Sequence, residues 1–242
     1  MRALAITHQR DAGPGVFAEA IAARGVSLDE WFIAETDRPP GDPFTYDAVL
    51  TLGAAAHPDQ DSANPWMRRE KNLLAELLHR EVPILGACLG SQLLADAAGS
   101  PARRAREPEI GWYEVEVTAE GADDPVIGAL APRFTAFEWH SYEAEVPPGA
   151  VALARSPICV QAYRVGDIAW GIQFHAEVSR DDAASWINDH QVDPDAVAMG
   201  IDPEALRAQT SPRIAEWNEL GRGLCDRFLG VVAARARARA PA

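Results

Sequence analysis

Short apolar runs alternate with amphipathic stretches through the first hundred residues. "RALAITH" (2–8) reads as a buried strand, broken at Gly13-Pro14-Gly15 before the small-residue helix "VFAEAIAARG" closes at Gly25. A second strand, "VSLDEWFIA", runs into the Pro-rich loop "DRPPGDPFTY", and "DAVLTLG" (47–53) is a third strand that ends in glycine. Asn64 is placed as an N-cap and Pro65 as the first residue of a helix striped by Leu73, Leu74, Leu77 and Leu78 and running to His79. "VPILGA" supplies strand four. Strands and helices alternating at this spacing predict an α/β fold, a doubly wound, mostly parallel sheet covered on both faces.

The rhythm changes after Pro101. "GWYEVEVTAEG", "PRFTAFEWHSYEAEV", "AVALARS", "ICVQAYRVG" and "IAWGIQFHAEV" are strand-like and closely spaced, with one short helix expected near "DDPVIGAL". They predict an antiparallel extension of the sheet. From Ser179 onward the pattern is helical, with breaks at "QVDPD" and "GIDPE" and a final "VAARARARAPA".

Composition narrows the partners. The 242 residues, 48% of them hydrophobic, can bury a sizeable core and suit a soluble, enzyme-sized unit. A formal charge of −14 argues against nucleic acid or an anionic membrane as a partner. Arg235, Arg237 and Arg239 are read as a solvated helix end. No stretch approaches the roughly 18 consecutive apolar residues of a membrane span, and the start has no apolar leader, so a cytoplasmic location is expected. Cys88, Cys159 and Cys225 are odd in number and widely spaced, which suggests thiols, with packing roles for the latter two.

Cys88 carries the candidate chemistry. It stands between a buried strand and a helix, flanked by Gly86 and Gly90, where a sharp elbow holds a side chain out at the strand's carboxyl end. A helix N-terminus there offers unpaired N–H groups and a partial positive charge, which favour a thiolate and receive a developing oxyanion. The bland reading is a small buried hydrophobe. A nucleophile also needs a base, and "GIQFHAEV" supplies His175 with Glu177 two residues on, expected on the same face of a strand so that the carboxylate orients the ring. A rival reading joins His175 and Glu177 to His140 or His190 as a metal site, but it leaves the elbow unexplained. No phosphate-cradling or dinucleotide loop follows any strand, so no cofactor and no metal is expected. Trp186 and Trp217 are read as core, and His8, His57 and His79 receive no chemical role.

Those residues resemble the class I glutamine amidotransferase family. "GACLGSQLLADAAG" is similar to its nucleophile motif G-x-C-x-G-x-Q, and "GIQFHAEV" to its closing G-x-Q-F-H-P-E. "WHSYEAEVPPGAVALARSPICVQAYRVG" resembles the connecting segment of stand-alone members whose glutaminase domain is like that of GMP synthetase. The resemblance spans roughly residues 1–180 and implies a flavodoxin-like domain there, with 181–242 a helical extension packed on it. It implies attack by Cys88 on a γ-glutamyl amide, with His175 as base and then acid, and Glu177 orienting it. The oxyanion hole would use the N–H of Leu89 and the turn at Gly53 and Ala54; Gln92 and the backbone near Ser141 and Tyr142 would hold the glutamyl head. Three departures stand out: Ala54 and Ala55 where the family has Gly-Pro, Ala176 for the proline between histidine and glutamate, and Ser141-Tyr142 for a small-acidic pair. No synthetase loop of the S-G-G-x-D-S kind is present. The expected activity is therefore cleavage of glutamine or a related γ-glutamyl compound through a Cys88 thioester. The alternatives are an ammonia-supplying glutaminase that needs a separate synthetase and a catalytically silent binding module.

Overall fold

A computed structural model describes residues 1–239. Its strands, β1 (Arg2–Thr7), β2 (Ser27–Phe32), β3 (Ala48–Thr51), β4 (Ile84–Ala87), β5 (Arg103–Val117), β6 (Arg133–Glu143), β7 (Val151–Arg155), β8 (Val160–Val165) and β9 (Ala169–Ile172), form one sheet. Its order is β2-β1-β3-β4-β9-β8-β7-β5-β6. β2, β1, β3, β4 and β9 run parallel to one another, and from β9 onward β8, β7, β5 and β6 extend the sheet antiparallel. The chain reverses its direction of travel between β1 and β3, the switch point of a doubly wound sheet, where crevices open beyond the strands' carboxyl ends.

Both faces are covered, so the central strands are apolar throughout: Ala3, Leu4, Ala5 and Ile6 are all fully buried. Helices α1 (Gly15–Ala23) and α7 (Pro203–Arg239) close one face around Phe17, Ile21, Trp170, Trp217 and Phe228. Helices α2 (Trp66–His79) and α3 (Leu89–Ala97) close the other around Leu4, Ile6, Met67, Leu74 and Leu93.

Several boundaries differ from the expected ones. α2 starts at Trp66 with Pro65 in the cap position and no side-chain cap; Asn64 contributes its carbonyl, which accepts the Met67 N–H at 2.9 Å. The helix expected over "DDPVIGAL" is instead one turn, α4 (Ala119–Ala122), and a 3-10 turn at Gly128–Leu130. Between them the buried Asp124 carboxylate accepts the N–H groups of Val126 and Ile127. β5 begins at Arg103, well before Gly111, because its first residues pair with the end of β6 across a bulge. After β9 come α5 (Arg180–Asn188), α6 (Pro194–Ala198) and α7. Of the tail arginines, Arg235 pairs with Glu81 at 3.1 Å, and the side chain of Arg239 lies outside the described residues.

Two contacts shape the crevice. α7 approaches so closely that a Cβ on Gly221 would sit 2.0 Å from the Ala176 carbonyl oxygen, whereas one on Gly223 would meet only the end of Arg227 at 3.2 Å. On the other side, the buried Glu70 of α2 accepts His8 Nε2 at 2.7 Å and the Thr51 hydroxyl at 2.5 Å, and His8 Nδ1 reaches the Gly53 carbonyl at 3.3 Å. Burial opposes a charge on His8, but the Glu70 carboxylate outweighs it and raises the ring's pKa. A charged ring donates at both nitrogens, tying the turn after β3 to α2.

Two stability measurements follow. By chemical denaturation, Gly221→Ala loses about 1–3 kcal/mol through overpacking, while Gly223→Ala, two residues along the same helix, gains up to about 1 kcal/mol from helix propensity. A group whose folded pKa is raised stabilises fully below its unfolded pKa, about 6.5 for histidine, and loses that contribution as pH rises through the folded value. The melting-temperature deficit of Glu70→Gln against wild type is therefore largest in mild acid and shrinks as pH rises; a deficit that grows with pH contradicts the His8–Glu70 pairing.

Candidate active site

Cys88 occupies the elbow between β4 and α3 with φ +49°, a left-handed conformation rare for a residue with a side chain and costing about 1–3 kcal/mol. Packing holds it there. The Cys88 N–H donates to Ile172 O and the Gly90 N–H to Leu52 O, both at 2.9 Å. A Cβ on Gly90 would lie 2.1 Å from the Thr51 carbonyl oxygen, and one on Gly86 would lie 2.8 Å from that of Gly90. Only glycine at both positions lets the first turn of α3 lie on β3. Cys88 is 6% exposed, yet it lines a cavity of about 50 Å³, with its thiol 3.9 Å from the Trp139 carbonyl.

His175 and Glu177 do not lie on a strand as the alternation suggested. β9 ends at Ile172, after which the Gln173 N–H donates to Gln161 O at 2.8 Å and the His175 N–H to Phe137 O at 2.9 Å, carrying the chain across toward β6. Two helices, α1 and α7, then fix the His-Ala-Glu segment: Trp217 Nε1 donates to His175 O (2.8 Å), the Val16 N–H to Glu177 O (2.8 Å) and Asn218 Nδ2 to Val178 O (2.7 Å). His175 Nδ1 meets Glu177 Oε1 at 2.6 Å. With Nδ1–H donating to the carboxylate, Nε2 is the nitrogen left for the Cys88 sulfur. Burial disfavours the imidazolium, but Glu177 and then Cys88 overcome it and hold the His175 pKa well above its ordinary value.

The other predicted residues gather around this pair. A Cβ on Gly53 would lie 2.9 Å from His175 Cε1 and 3.5 Å from Cys88 Cβ, so the turn after β3 runs beside both. Ala54 lines the Cys88 cavity, and Leu89, as the first residue of α3, has an N–H with no partner inside the helix. Gln9 accepts the Ala55 N–H at 2.7 Å, anchoring a loop that lacks the family's proline. Gln92 also lines the cavity; its Nε2 donates to Tyr142 O at 2.9 Å and Gln173 Oε1 at 3.0 Å, so it supports the Ser141–Tyr142 backbone. Ser141 contacts Asp195, where burial works against the charge but hydrogen bonds from Ser141 and Arg104 hold the carboxyl below its ordinary value.

Some residues fall where sequence reasoning did not put them. Trp186 on α5 is not core: it stands edge-on to His175 with ring centroids 4.8 Å apart, donates to Asp11 O, and walls a second cavity of about 190 Å³. That cavity is lined by His175, Gln9, Trp139, Asp189, Val192 and Asp193 among others, and shares Ala54, His57, Trp139 and Asp193 with the first. Asp193 caps α6 and accepts Trp139 Nε1 at 2.8 Å, and His57 stacks on Tyr142. Trp217 is buried, as expected, and Cys225 packs against Phe17 O with its thiol pushed up to about 12 by burial. Among the described residues, His175 and Glu177 do not converge with His140 or His190 as metal ligands. His190 Nδ1 faces Ile187 O, and His140 lies instead with Glu109 and Cys159.

The family model for glutamine amidotransferase class-I matches residues 17–192, which include Cys88, His175 and Glu177. The glutamine-hydrolyzing GMP synthase chain of Natronomonas pharaonis is 36% identical over 166 residues, covering 67% of this chain and 82% of that one. A gamma-glutamyl-L-1-hydroxyisopropylamide hydrolase from a Pseudomonas species is 29% identical over 153 residues, 60% of this chain and 51% of that one. This chain therefore spans only about half of the hydrolase. The crystal structure of a glutamine amidotransferase from Thermotoga maritima superposes with a TM-score of 0.85 at 27% identity, covering 95% of this chain and 98% of the other. No described helix is long and apolar enough to cross a membrane. With the family model matching well over half of its length, the chain belongs to the class-I glutamine amidotransferases.

Proposed function

We propose that this chain is a stand-alone hydrolase of γ-glutamyl amides, with residues 181–242 forming part of the same catalytic unit. The observation that carries the reading is the grouping of Cys88, His175 and Glu177 between two cavities that differ in size. Cys88 sulfur attacks the side-chain carbonyl carbon, and the oxyanion is received by the N–H groups of Leu89 and of the Gly53–Ala54 turn. Gln92 and the Ser141–Tyr142 backbone border the smaller cavity and suit the glutamyl head. As the C–N bond breaks, His175 Nε2–H protonates the departing amine, leaving a γ-glutamyl thioester. His175 then takes a proton from water, whose oxygen attacks the thioester to release glutamate and return the thiolate to its imidazolium partner. Glu177 keeps the ring aligned and compensates its charge.

The acid must face the leaving group, so the amine departs on the His175 side, into the 190 Å³ cavity. One water-sized group needs about 10–15 Å³; the excess supports an amine larger than ammonia. The named activity of the Pseudomonas relative is of that kind. The second reading, a glutaminase that supplies ammonia to a separate synthetase, draws on the GMP synthase relatives.

Assays on the isolated chain separate the two. A free-standing hydrolase releases glutamate from γ-glutamyl alkylamides at rates at least comparable to glutamine. A dependent glutaminase stays near idle on both until a synthetase is added. Cys88→Ala lowers turnover by at least about 10³-fold and Glu177→Gln by roughly 10²–10⁴-fold. A glutamine-like electrophile labels Cys88 and spares Cys159 and Cys225, as read by peptide mass spectrometry. Because Glu177 raises the His175 pKa, activity falls on the alkaline side as the ring loses its proton, and Glu177→Gln moves that limb to lower pH; an unmoved limb removes His175 from the acid role.

A further inference from the structure

Behind the β6 segment that borders the cavity lies a second polar group, buried, whose His140 also lines the Cys88 cavity. It comprises Glu109 on β5, Glu138 and His140 on β6, Cys159 just before β8, and Gln161 on β8. Glu109, Glu138 and Gln161 have no exposed surface. Glu109 Oε2 accepts Gln161 Nε2 at 2.8 Å and the Ser156 hydroxyl at 3.1 Å. It also lies 3.2 Å from His140 Nε2 and 3.5 Å from Cys159 Sγ, and Glu138 Oε2 lies 3.4 Å from the same His140 nitrogen.

This group is poorly satisfied as it stands. Glu109 Oε1, both oxygens of Glu138, His140 Nε2 and Gln161 Oε1 have no hydrogen-bond partner, although all are buried. A proton on His140 offsets only one of the two buried carboxylates beside it, so the group keeps a net negative charge that a further cation would offset. The histidine is oriented for that cation: its Nδ1–H donates to Tyr142 O at 3.0 Å and its Nε2 faces both carboxylates, the nitrogen that a metal ion would take in place of a proton. Ligand atoms held tetrahedrally at about 2.0–2.3 Å from one ion stand roughly 3.3–3.8 Å apart, and the separations of 3.2, 3.4 and 3.5 Å are close to this spacing. The Glu109, His140 and Cys159 donor atoms all lie within 4.8 Å of one another.

We infer that Glu109, His140 and Cys159, with Glu138 set against His140, form a buried structural site for a divalent cation of the zinc class. Nitrogen, thiolate and carboxylate donors together suit zinc better than magnesium or calcium, which take oxygen. Binding releases the Cys159 thiol proton and the His140 Nε2 proton to solvent. The three ligands come from three separate segments and are buried, so the ion acts on structure: it fastens β5, β6 and the start of β8 together behind Trp139, Ser141 and Tyr142. The inference does not depend on the proposed reaction.

The test uses the full chain, stripped with a chelator and reloaded with Zn²⁺ or Co²⁺. The expected results are about one ion per chain by elemental analysis, a higher melting temperature with Zn²⁺, and with Co²⁺ a thiolate-to-metal charge-transfer band. Cys159→Ser abolishes that band, Glu138→Gln weakens binding at least about tenfold, and Cys88→Ala leaves both band and stoichiometry in place. A wild-type chain that retains no ion and gains no stability overturns the inference, whatever the variants do. So does a band that follows Cys88, which would put the ion at the nucleophile.

Discussion

One close backbone approach, that of α3 to β3 at Gly90 and Thr51, decides where Cys88 stands, and the rest of the site hangs on it. With no side chain at Gly90 or Gly86, the first turn of α3 settles onto the strand, and Cys88 is forced into a left-handed conformation. That one residue absorbs the strain, and in return its sulfur, the free N–H of Leu89 and the Gly53 turn occupy one small volume. A relaxed elbow would need more space between α3 and β3, and the turn at Gly53 would then lose its contact with both Cys88 and His175. Glu70 and His8 brace the same turn from the far side, so the strained element is clamped between two rigid neighbours.

His175 and Glu177 are placed by a different device. They lie past the end of β9, where strand pairing no longer dictates direction, and their backbone is fixed by β6, α1 and α7 in turn. This accounts for Ala176 in place of the family's proline: the segment takes its stiffness from tertiary hydrogen bonds and from the close pass of Gly221. The long C-terminal helix is thus part of what aligns the imidazole, through Trp217 and Asn218, although it contributes no group to the cavity.

Those two devices explain what the sequence could and could not reveal. Apolar runs with central burial made β1, β3 and β4 readable, and the elbow at Cys88 followed from two glycines flanking a cysteine between a strand and a helix. The two-residue spacing of His175 and Glu177 suggested their pairing, but for the wrong reason, since the pair lies beyond the strand. Contacts between distant elements left little local signal. Trp186 looks like core because a half-buried tryptophan and a buried one have the same local pattern. His8 gains its partner from α2, 62 residues away. Glu109 and Cys159 lie 50 positions apart and meet only because β5 pairs with β7, whose hairpin to β8 carries Cys159. A buried glutamate within a strand, as Glu138 is in "FTAFEWH", was the one legible hint of that group.

The two sides of the site are built from different parts of the chain, and this separates two kinds of constraint. The side bearing Cys88, Leu89 and Gln92 comes from the sheet and α3, whose geometry is set by the elbow and tolerates little change. The side facing His175 is walled by Trp186 and by the turn from Asp189 to Asp193, which joins α5 to α6 and meets β6 where Asp193 accepts Trp139 Nε1. That turn lies outside the sheet, so it can be reshaped without disturbing the elbow. On the proposed function, changes in which amine the site accommodates are therefore expected to concentrate between Trp186 and Asp195, while the chemistry of the γ-glutamyl group stays with the sheet.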